Sequence, residues 1–331
     1  MSLHILKAGP MTTLQDLGRR GYLRYGVNQS GAMDPVAASV CWQLLGQSPD
    51  DTPLVEIPLG GLQVAVDAPT SLAVVSTGFS VSRSGAALGA SALITLLPGE
   101  TLDVRPGTAG QFAYLGVHAN WDIAPVLGAY ATHLRSGVGP APALNAGDTL
   151  GMTPHAPLDE RLNLPPLDHG PSVLRAVDGP QLDYFPVESV DRFYSQPWTV
   201  GAASDRMASA LIGEPLTHEK GFDILSDGIA FGAVQVPGSG QPFVLMADRG
   251  TTGGYPKIAT VISADLPRIA QARPGTVLHF ERVSVEQANA TRLRQKDGML
   301  AWLRTPAELD TERLMTVNLI SGVVDGHTPP A

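Results

Sequence analysis

Across residues 55–118 short apolar runs alternate with turn residues: LQVAV, DAPT, SLAVVSTG, SALITLL, PGE, TLDV, RPGT, FAYLGV. Runs of that length, closely spaced and bounded by Pro, Gly and Asp, predict the strands of a sandwich or barrel. Ahead of them stands one helical segment. Asp34 can cap it, Pro35 suits the first helical position, VAASVCWQLL supplies the body and Gly46 the stop. The strand pattern resumes at SVLRAVDGP and continues through QPWTVGA, AFGAVQVPGSGQPFVLMADR, KIATVISAD and TVLHFERV. Within it, residues 234–236, the turn PGSGQP and residues 243–246 predict a hairpin. Two further helices are expected, one after Asp265 in LPRIAQA and a longer polar one toward Trp302, opened by a capping box of Ser284 and Gln287.

Residues 153–171, TPHAPLDERLNLPPLDHGP, are rich in proline and charge and lack periodicity, which predicts a connection between domains. The expected organisation is mainly β: an N-terminal β domain with one helix over 1–165, a second β-barrel domain over 166–285, and a helix and tail over 286–331.

Composition narrows the class. A chain of 331 residues, 44% hydrophobic and 16% charged, can bury two cores of ordinary size without disulfides. A formal charge of −9 with no Lys/Arg block argues against a nucleic-acid partner. Cys41 is the single cysteine; it excludes an internal disulfide, fits a reducing cytosol and reads as a small apolar core residue. The start MSLHILKAGP lacks a basic region followed by a long apolar core, and no run reaches the length of a membrane span. A soluble, cytoplasmic protein without a membrane partner is the expectation.

Several chemistries lack their signatures. There is no GxxxxGK[ST] or GxGxxG phosphate loop, no GxSxG elbow, and the eight histidines show neither HxH nor HExxH spacing, so no metal site is expected. What stands out is the loop MADRGTTGGYPKIA after the apolar run Phe243, Val244 and Leu245. Asp248 and Arg249 follow the strand, Gly253 and Gly254 open the backbone, and Pro256 holds Tyr255 extended ahead of Lys257. With the hydroxyls of Thr251 and Thr252, these groups could bind a carboxylate or a lactam oxygen. The plainer alternative is a tight Gly-Gly turn with a local Asp248–Arg249 ion pair. Residues 12–34, TTLQDLGRRGYLRYGVNQSGAMD, could gather Gln15, Asp16, Arg19, Asn28 and Ser30 on one surface, or could be a connection in which Asp16 pairs with Arg19. Ser204, Asp205 and Arg206 make a third polar group, either a turn salt bridge or part of a site.

Taken together, TTLQDLGRRGY, GVNQSGAMD, SDRM and SDGIAFGAVQVPGSGQPFVLMADRGTTGGYPKIA resemble the biotin-dependent carboxyltransferase / allophanate hydrolase subunit 2 family, which includes the C subunit of 5-oxoprolinase. The resemblance covers about residues 3–283. It implies two cyclophilin-like β-barrel domains, a companion subunit of related fold, a lamB-like subunit, and ATP-dependent opening of the 5-oxoproline lactam, with ATP held by a partner or the assembled complex. Under it Asp248, Tyr255 and Lys257 are the expected catalytic groups. Arg249, Thr251, Thr252, Gly253, Gly254, Asn28, Ser30, Arg19, Asp205, Arg206 and Gln235 are the expected substrate-binding set. The chain departs from the family pattern at Gly250 (usually Gln), at Asn28 (usually Pro), at Ala208–Ala210 where an Arg is usual, and at Pro140, Ala141 and Pro142 in place of a Gly-rich segment.

Two other readings accompany that one. Carboxyl transfer from carboxybiotin to urea or a similar amide needs biotin delivered by another protein, since no Ala-Met-Lys-Met attachment site is present. A non-catalytic regulator would instead bind an inhibitor of a sensor kinase. Proline isomerase activity rests on fold alone and has no site residues behind it.

Overall fold

The computed structural model describes residues 1–304; the predicted tail beyond them lies outside the described residues. The first half forms two sheets. Seven strands run in the order Ala119–Trp121, Thr149–Pro154, Ser2–Ala8, Leu62–Val66, Leu102–Arg105, Ser80–Arg83 and Ala86–Gly89. Six more run Arg161–Leu164, Ser91–Leu96, Thr70–Ser76, Ala113–Val117, Leu54–Ile57 and Thr13–Gln15.

Strand Thr70–Ser76 shows why its sequence, TSLAVVS, carries no polar alternation: it is buried along its whole length. Side chains alternate between sheet faces. Leu72 and Val74 therefore enter the core between the two sheets, while Ala73 and Val75 enter the core that continues into the second half. A sheet covered on both faces needs apolar residues at every position.

Helix α1 (Pro35–Leu45) covers the second face of the six-stranded sheet as its caps predict: Asp34 accepts from the Val36 and Ala37 amides, and Gly46 ends it with φ 63°. Gly116 lets it approach, because a Cβ there would lie 2.5 Å from Leu45 Cδ1 and 3.0 Å from Cys41 Sγ. Cys41 is fully buried as expected, and burial pushes its thiol pKa up.

The second half closes into a barrel in the order Val173–Asp178, Lys257–Val261, Ala233–Gln235, Phe243–Leu245, Ala208–Ile212, Trp198–Val200 and Val277–Arg282. The predicted hairpin is present, with Val234 opposite Val244. Helix α2 (Val187–Ser195), which the sequence pattern did not single out, packs Phe193 on Trp198 and Phe280. Helices α3 (Leu266–Gln271) and α4 (Val285–Leu303) match the two further helices predicted, and the Ser284–Gln287 capping box is formed. Asp265 makes no side-chain cap on α3; its carboxylate is held instead by Arg175 at 2.6 and 2.8 Å. The segment 153–171 is more than a connection: Arg161–Leu164 within it pairs with Ser91–Leu96 of the first half. No helix among the described residues is long and apolar enough to cross a membrane.

Candidate functional site

Three polar segments that lie far apart in the sequence meet where the two halves touch. Strand Ala208–Ile212 pairs with Phe243–Leu245. Beyond their ends the backbone ladder continues through Met246 N to Met207 O and Asp248 N to Arg206 O, both 2.8 Å. That register sets Arg206 against Asp248, and the guanidinium binds the carboxylate through two parallel bonds of 2.9 Å. The third segment, residues 28–34, runs past both. Asn28 donates to Arg249 O at 2.6 Å and Asp248 O at 3.3 Å, while Gly31 O accepts from Arg206 at 2.8 Å. Gly31 has φ +97°, and a Cβ there would sit 2.8 Å from the Gly18 amide, so the path of this segment depends on glycine.

From Arg206 a buried chain of polar groups enters the first half. Its other fork pairs with Glu56, whose second oxygen accepts from the Met33 amide and the Tyr114 hydroxyl, both at 2.8 Å. Tyr114 in turn accepts from the Asp34 amide, and the Asp34 carboxylate bonds His169 at 2.7 Å and Gln271 at 2.9 Å. Burial raises the Glu56 carboxyl pKa against the pull of Arg206. For Arg206 the balance is opposite: burial disfavours its charge, but Glu56 and Asp248 together outweigh that and raise its pKa. One cation between two carboxylates clamps the halves together.

Arg249 differs. Only 4% exposed, it donates to Ile229 O at 3.1 Å, Met246 O at 3.4 Å and Gln29 Oε1 at 3.1 Å, with Phe231 beneath the guanidinium. It pairs with no carboxylate among the described residues, and burial lowers its pKa to about 10. A guanidinium has five donors, so two are left without a partner among the described residues. Next along the chain from its partner Gln29, Ser30 takes the left-handed backbone region at φ 54°, and its buried hydroxyl has no partner among the described residues. Backbone strain and an unsatisfied buried polar atom in one residue are features of functional positions. A cavity of about 270 Å³ opens next to Arg206, lined by Met33, Phe112, Ser204, Asp205 and Ser209 among others.

The predicted loop therefore divides. Asp248 and Arg249 join Asn28, Ser30 and Arg206 at the junction, and Asp205 sits beside them, accepting from the Met207 and Ala208 amides. The remainder gathers around a short ladder of Asp227–Gly228 with Thr252–Gly253, which Arg249 meets through its bond to Ile229 O. Lys257 reaches Asp227 at 3.1 Å, Gln235 donates to Tyr255 O at 3.4 Å, and the Tyr255 side chain is 43% exposed. Gly253 serves packing, since a Cβ would lie 2.5 Å from Gln235 Nε2. Gly254 O accepts from the Ile224 amide and Thr251 O from the Ile229 amide. Asp248 has Arg206 as its ion-pair partner rather than the neighbouring Arg249. Arg19 is 1% exposed and donates to Val126 O and Ala131 O, so it braces loops; Asp16 accepts from the Gly18 and Tyr130 amides and makes no ion pair with Arg19 among the described residues.

Sequence reasoning missed Glu56, Tyr114, Gln29 and His133, whose Nε2 lies 3.3 Å from Asp248 O. For Glu56 a signal existed: it is a lone acid inside the apolar run LVEI.

The carboxyltransferase domain model, subdomains A and B, matches residues 25–282, which include all three junction segments. The chain belongs to this carboxyltransferase family. Its relatives include the 5-oxoprolinase C subunit of Haemophilus influenzae, 34% identical over 89% of this chain and 95% of that protein. The Escherichia coli protein of the same name is also 34% identical, over 91% of this chain and 98% of its own. The urea amidolyase of Saccharomyces cerevisiae is 26% identical over 99% of this chain, which spans 19% of that larger protein. Among solved structures, TTHA0988 superposes with a TM-score of 0.76 at 31% identity over 85% of this chain, which spans 56% of that one. The Kluyveromyces lactis urea carboxylase, at 24% identity and a TM-score of 0.80 over 94% of this chain, shares the fold. The carboxyltransferase fold thus extends over nearly all of the described residues.

Proposed function

We propose that this chain is one component of an ATP-dependent 5-oxoprolinase that opens the lactam of 5-oxoproline to glutamate, inactive alone and completed by a companion subunit of related fold and a lamB-like subunit. The observation that carries the reading is the 34% identity to two proteins named as C subunits of 5-oxoprolinase, spanning 95% and 98% of their lengths. The geometry supports it from the residue side. 5-Oxoproline carries a carboxylate, and Arg249 is a buried cation with unused donors and no carboxylate partner among the described residues. Ser30 adds a hydroxyl without a partner among them.

In this reading Arg249 and Ser30 hold the substrate carboxylate, while the Arg206–Asp248–Glu56 clamp fixes the walls of the site. Amide resonance makes the lactam carbonyl a poor electrophile, and ATP, when bound, supplies the activation that resonance denies. Since the chain lacks GxxxxGK[ST], the nucleotide is assigned to a partner or the assembled interface. The lactam oxygen takes a phosphoryl group, leaving ADP; water adds at the carbonyl carbon, the ring C–N bond breaks with a proton passing from that water to the nitrogen, and a second water releases phosphate from the resulting acyl phosphate to give glutamate. Asp248 is oriented for proton transfer only while it keeps both bonds to Arg206; Tyr255 and Lys257, on the neighbouring ladder, act if the companion protein closes over them.

Carboxyl transfer is the second reading, favoured by the family's name and by the urea amidolyase relatives. The test is to co-purify the chain with its genomic neighbours and measure glutamate released from 5-oxoproline with and without ATP. In parallel, urea is supplied with a biotin carboxylase and its carrier. Glutamate release that requires ATP supports lactam opening; a folded, complete complex that releases none, but carboxylates urea, replaces it with the alternative.

A further inference from the structure

A second cleft lies at the junction, outside the Arg206–Arg249 constellation. Its larger chamber, about 610 Å³, is bounded by loop residues 108–110 of the first half and by α3 and the residues after it. A smaller chamber of about 390 Å³ runs along α4. Residues 166–169 and Arg268 line both chambers and so form the wall between them.

Two of the guanidiniums in this wall lack an acid partner among the described residues. Arg268 and Arg273 line the larger chamber, and Arg175 and Arg294 join Arg268 in the smaller. Arg175 and Arg268 share one carboxylate, the buried Asp265, at 2.6 and 3.0 Å. Arg273 donates to the backbone carbonyls of Gly107, Ala109 and Gly110, and Arg294 to the Thr291 hydroxyl; neither pairs with an acid among the described residues. Against these four guanidiniums stand four carboxylates: Asp265, Asp168, the Asp34 group behind His169, and Glu281, which acts on Arg175. Arg273 and Arg294, two guanidiniums without an acid partner among the described residues in a chain of net charge −9, favour an anion here.

His169 is arranged for the same task. Its Nε2 is fixed 2.7 Å from Asp34 Oδ2, while Asp34 is fully buried and also held by Gln271 and two α1 amides. The ring thus has a set orientation, and Nδ1 has no hydrogen bond among the described residues. Burial alone would lower the imidazole pKa, but the Asp34 carboxylate outweighs it and raises it, favouring the cation. Leu167, Leu278, Ala272 and Pro171 add apolar lining to the same chamber. A chamber of about 610 Å³ falls within the range of small-molecule pockets.

We propose that this cleft binds a small organic anion, its phosphate or carboxylate oxygens against Arg273 and His169 and its ring or short chain against Leu167 and Leu278. The proposal goes beyond the lactam reading and stands without it: the cleft meets the polar chain from Arg206 only at its far end, through His169 and Gln271, and neither Arg206 nor Arg249 lines it.

The test is calorimetric titration of the purified full chain with pyrophosphate and, separately, citrate. Tryptophan fluorescence is followed in parallel, since Trp302 lines the smaller chamber. At least one probe should saturate; pyrophosphate alone assigns a phosphate ligand, citrate alone a carboxylate ligand, and both a site that reads oxyanion charge. Arg273→Gln should weaken binding by about tenfold or more, the loss of one charge-assisted contact. Arg273→Lys should recover part of it. His169→Gln, whose amide can still donate to Asp34, gives an independent weakening if Arg273→Gln does not fold. Absence of saturation with both probes, or affinities unchanged in the folded His169→Gln and Arg273→Lys proteins alike, would overturn the proposal.

Discussion

Arg206 carries two buried carboxylates, and removing it strands both. Replacing it by methionine should cost about 3–5 kcal/mol, the range for breaking a buried ion pair by deleting one partner, read as a shifted denaturation midpoint with unchanged slope. A double change, Arg206→Met with Glu56→Gln, should cost less than the single one, because it leaves one fewer buried charge unpaired. A second prediction concerns His169 and Asp34. The folded pKa of Asp34 is lowered, by its His169 partner against burial, so its contribution is full above the unfolded value of 3.8 and is lost as pH falls through the folded value. His169 is raised, so its contribution is full below the unfolded value of 6.5 and is lost as pH rises through the folded one. The destabilisation caused by His169→Gln should therefore be greatest between those two values and should shrink toward alkaline pH; a loss that stays constant from pH 5 to 9 would contradict the ion pair. Several of these residues were legible in the sequence because their types advertise a role: Asp34 before a proline-led helix, Arg206 in a polar group ahead of MASALIGEPL, and Asp248 in the loop after Phe243–Leu245. Glu56 and Tyr114 were not recognised, since the face a strand residue takes is known only once the sheet is assembled. The bond from Asn28 to Asp248 spans 220 positions, and no local pattern encodes such a meeting.

Elements with strong local signals emerged as read: α1 with its cap and stop, the α4 capping box, and the 234–246 hairpin. Ser284→Ala removes the α4 box and should lower stability by about 1 kcal/mol, with faster amide exchange confined to the first turn. Gly116→Ala should cost about 1–3 kcal/mol, because the added methyl crowds the buried side chains of Leu45, Cys41 and Leu54 between α1 and the sheet, and calorimetry of the purified variant checks it. Elements without local signals were misread. Arg161–Leu164 is four residues among prolines and takes its strand conformation from the edge of Ser91–Leu96. Asp265 fits a helix cap by type and position, yet a bidentate arginine 90 residues away claims its carboxylate. The loop after Phe243–Leu245 takes its partners from elsewhere for a similar reason: Thr252–Gly253 pairs with Asp227–Gly228 and Lys257 with Asp227, while Asp248 pairs with Arg206.

At the scale of the whole molecule the two halves share one continuous apolar core running from α1 through the barrel, and the polar chain from Asp248 to His169 crosses that boundary. Motif segments far apart in sequence converge there, and the family model spans them all. In the proposed lactam-opening reaction, Arg249 at this junction receives the carboxylate of 5-oxoproline. The most direct measurement is the KM for 5-oxoproline, in the assembled complex with ATP, of the unaltered chain and of Arg249→Gln. The account predicts a KM raised by about tenfold or more with kcat little changed, the signature of a contact made equally in ground and transition states. An unchanged KM in a folded, assembled variant would contradict it.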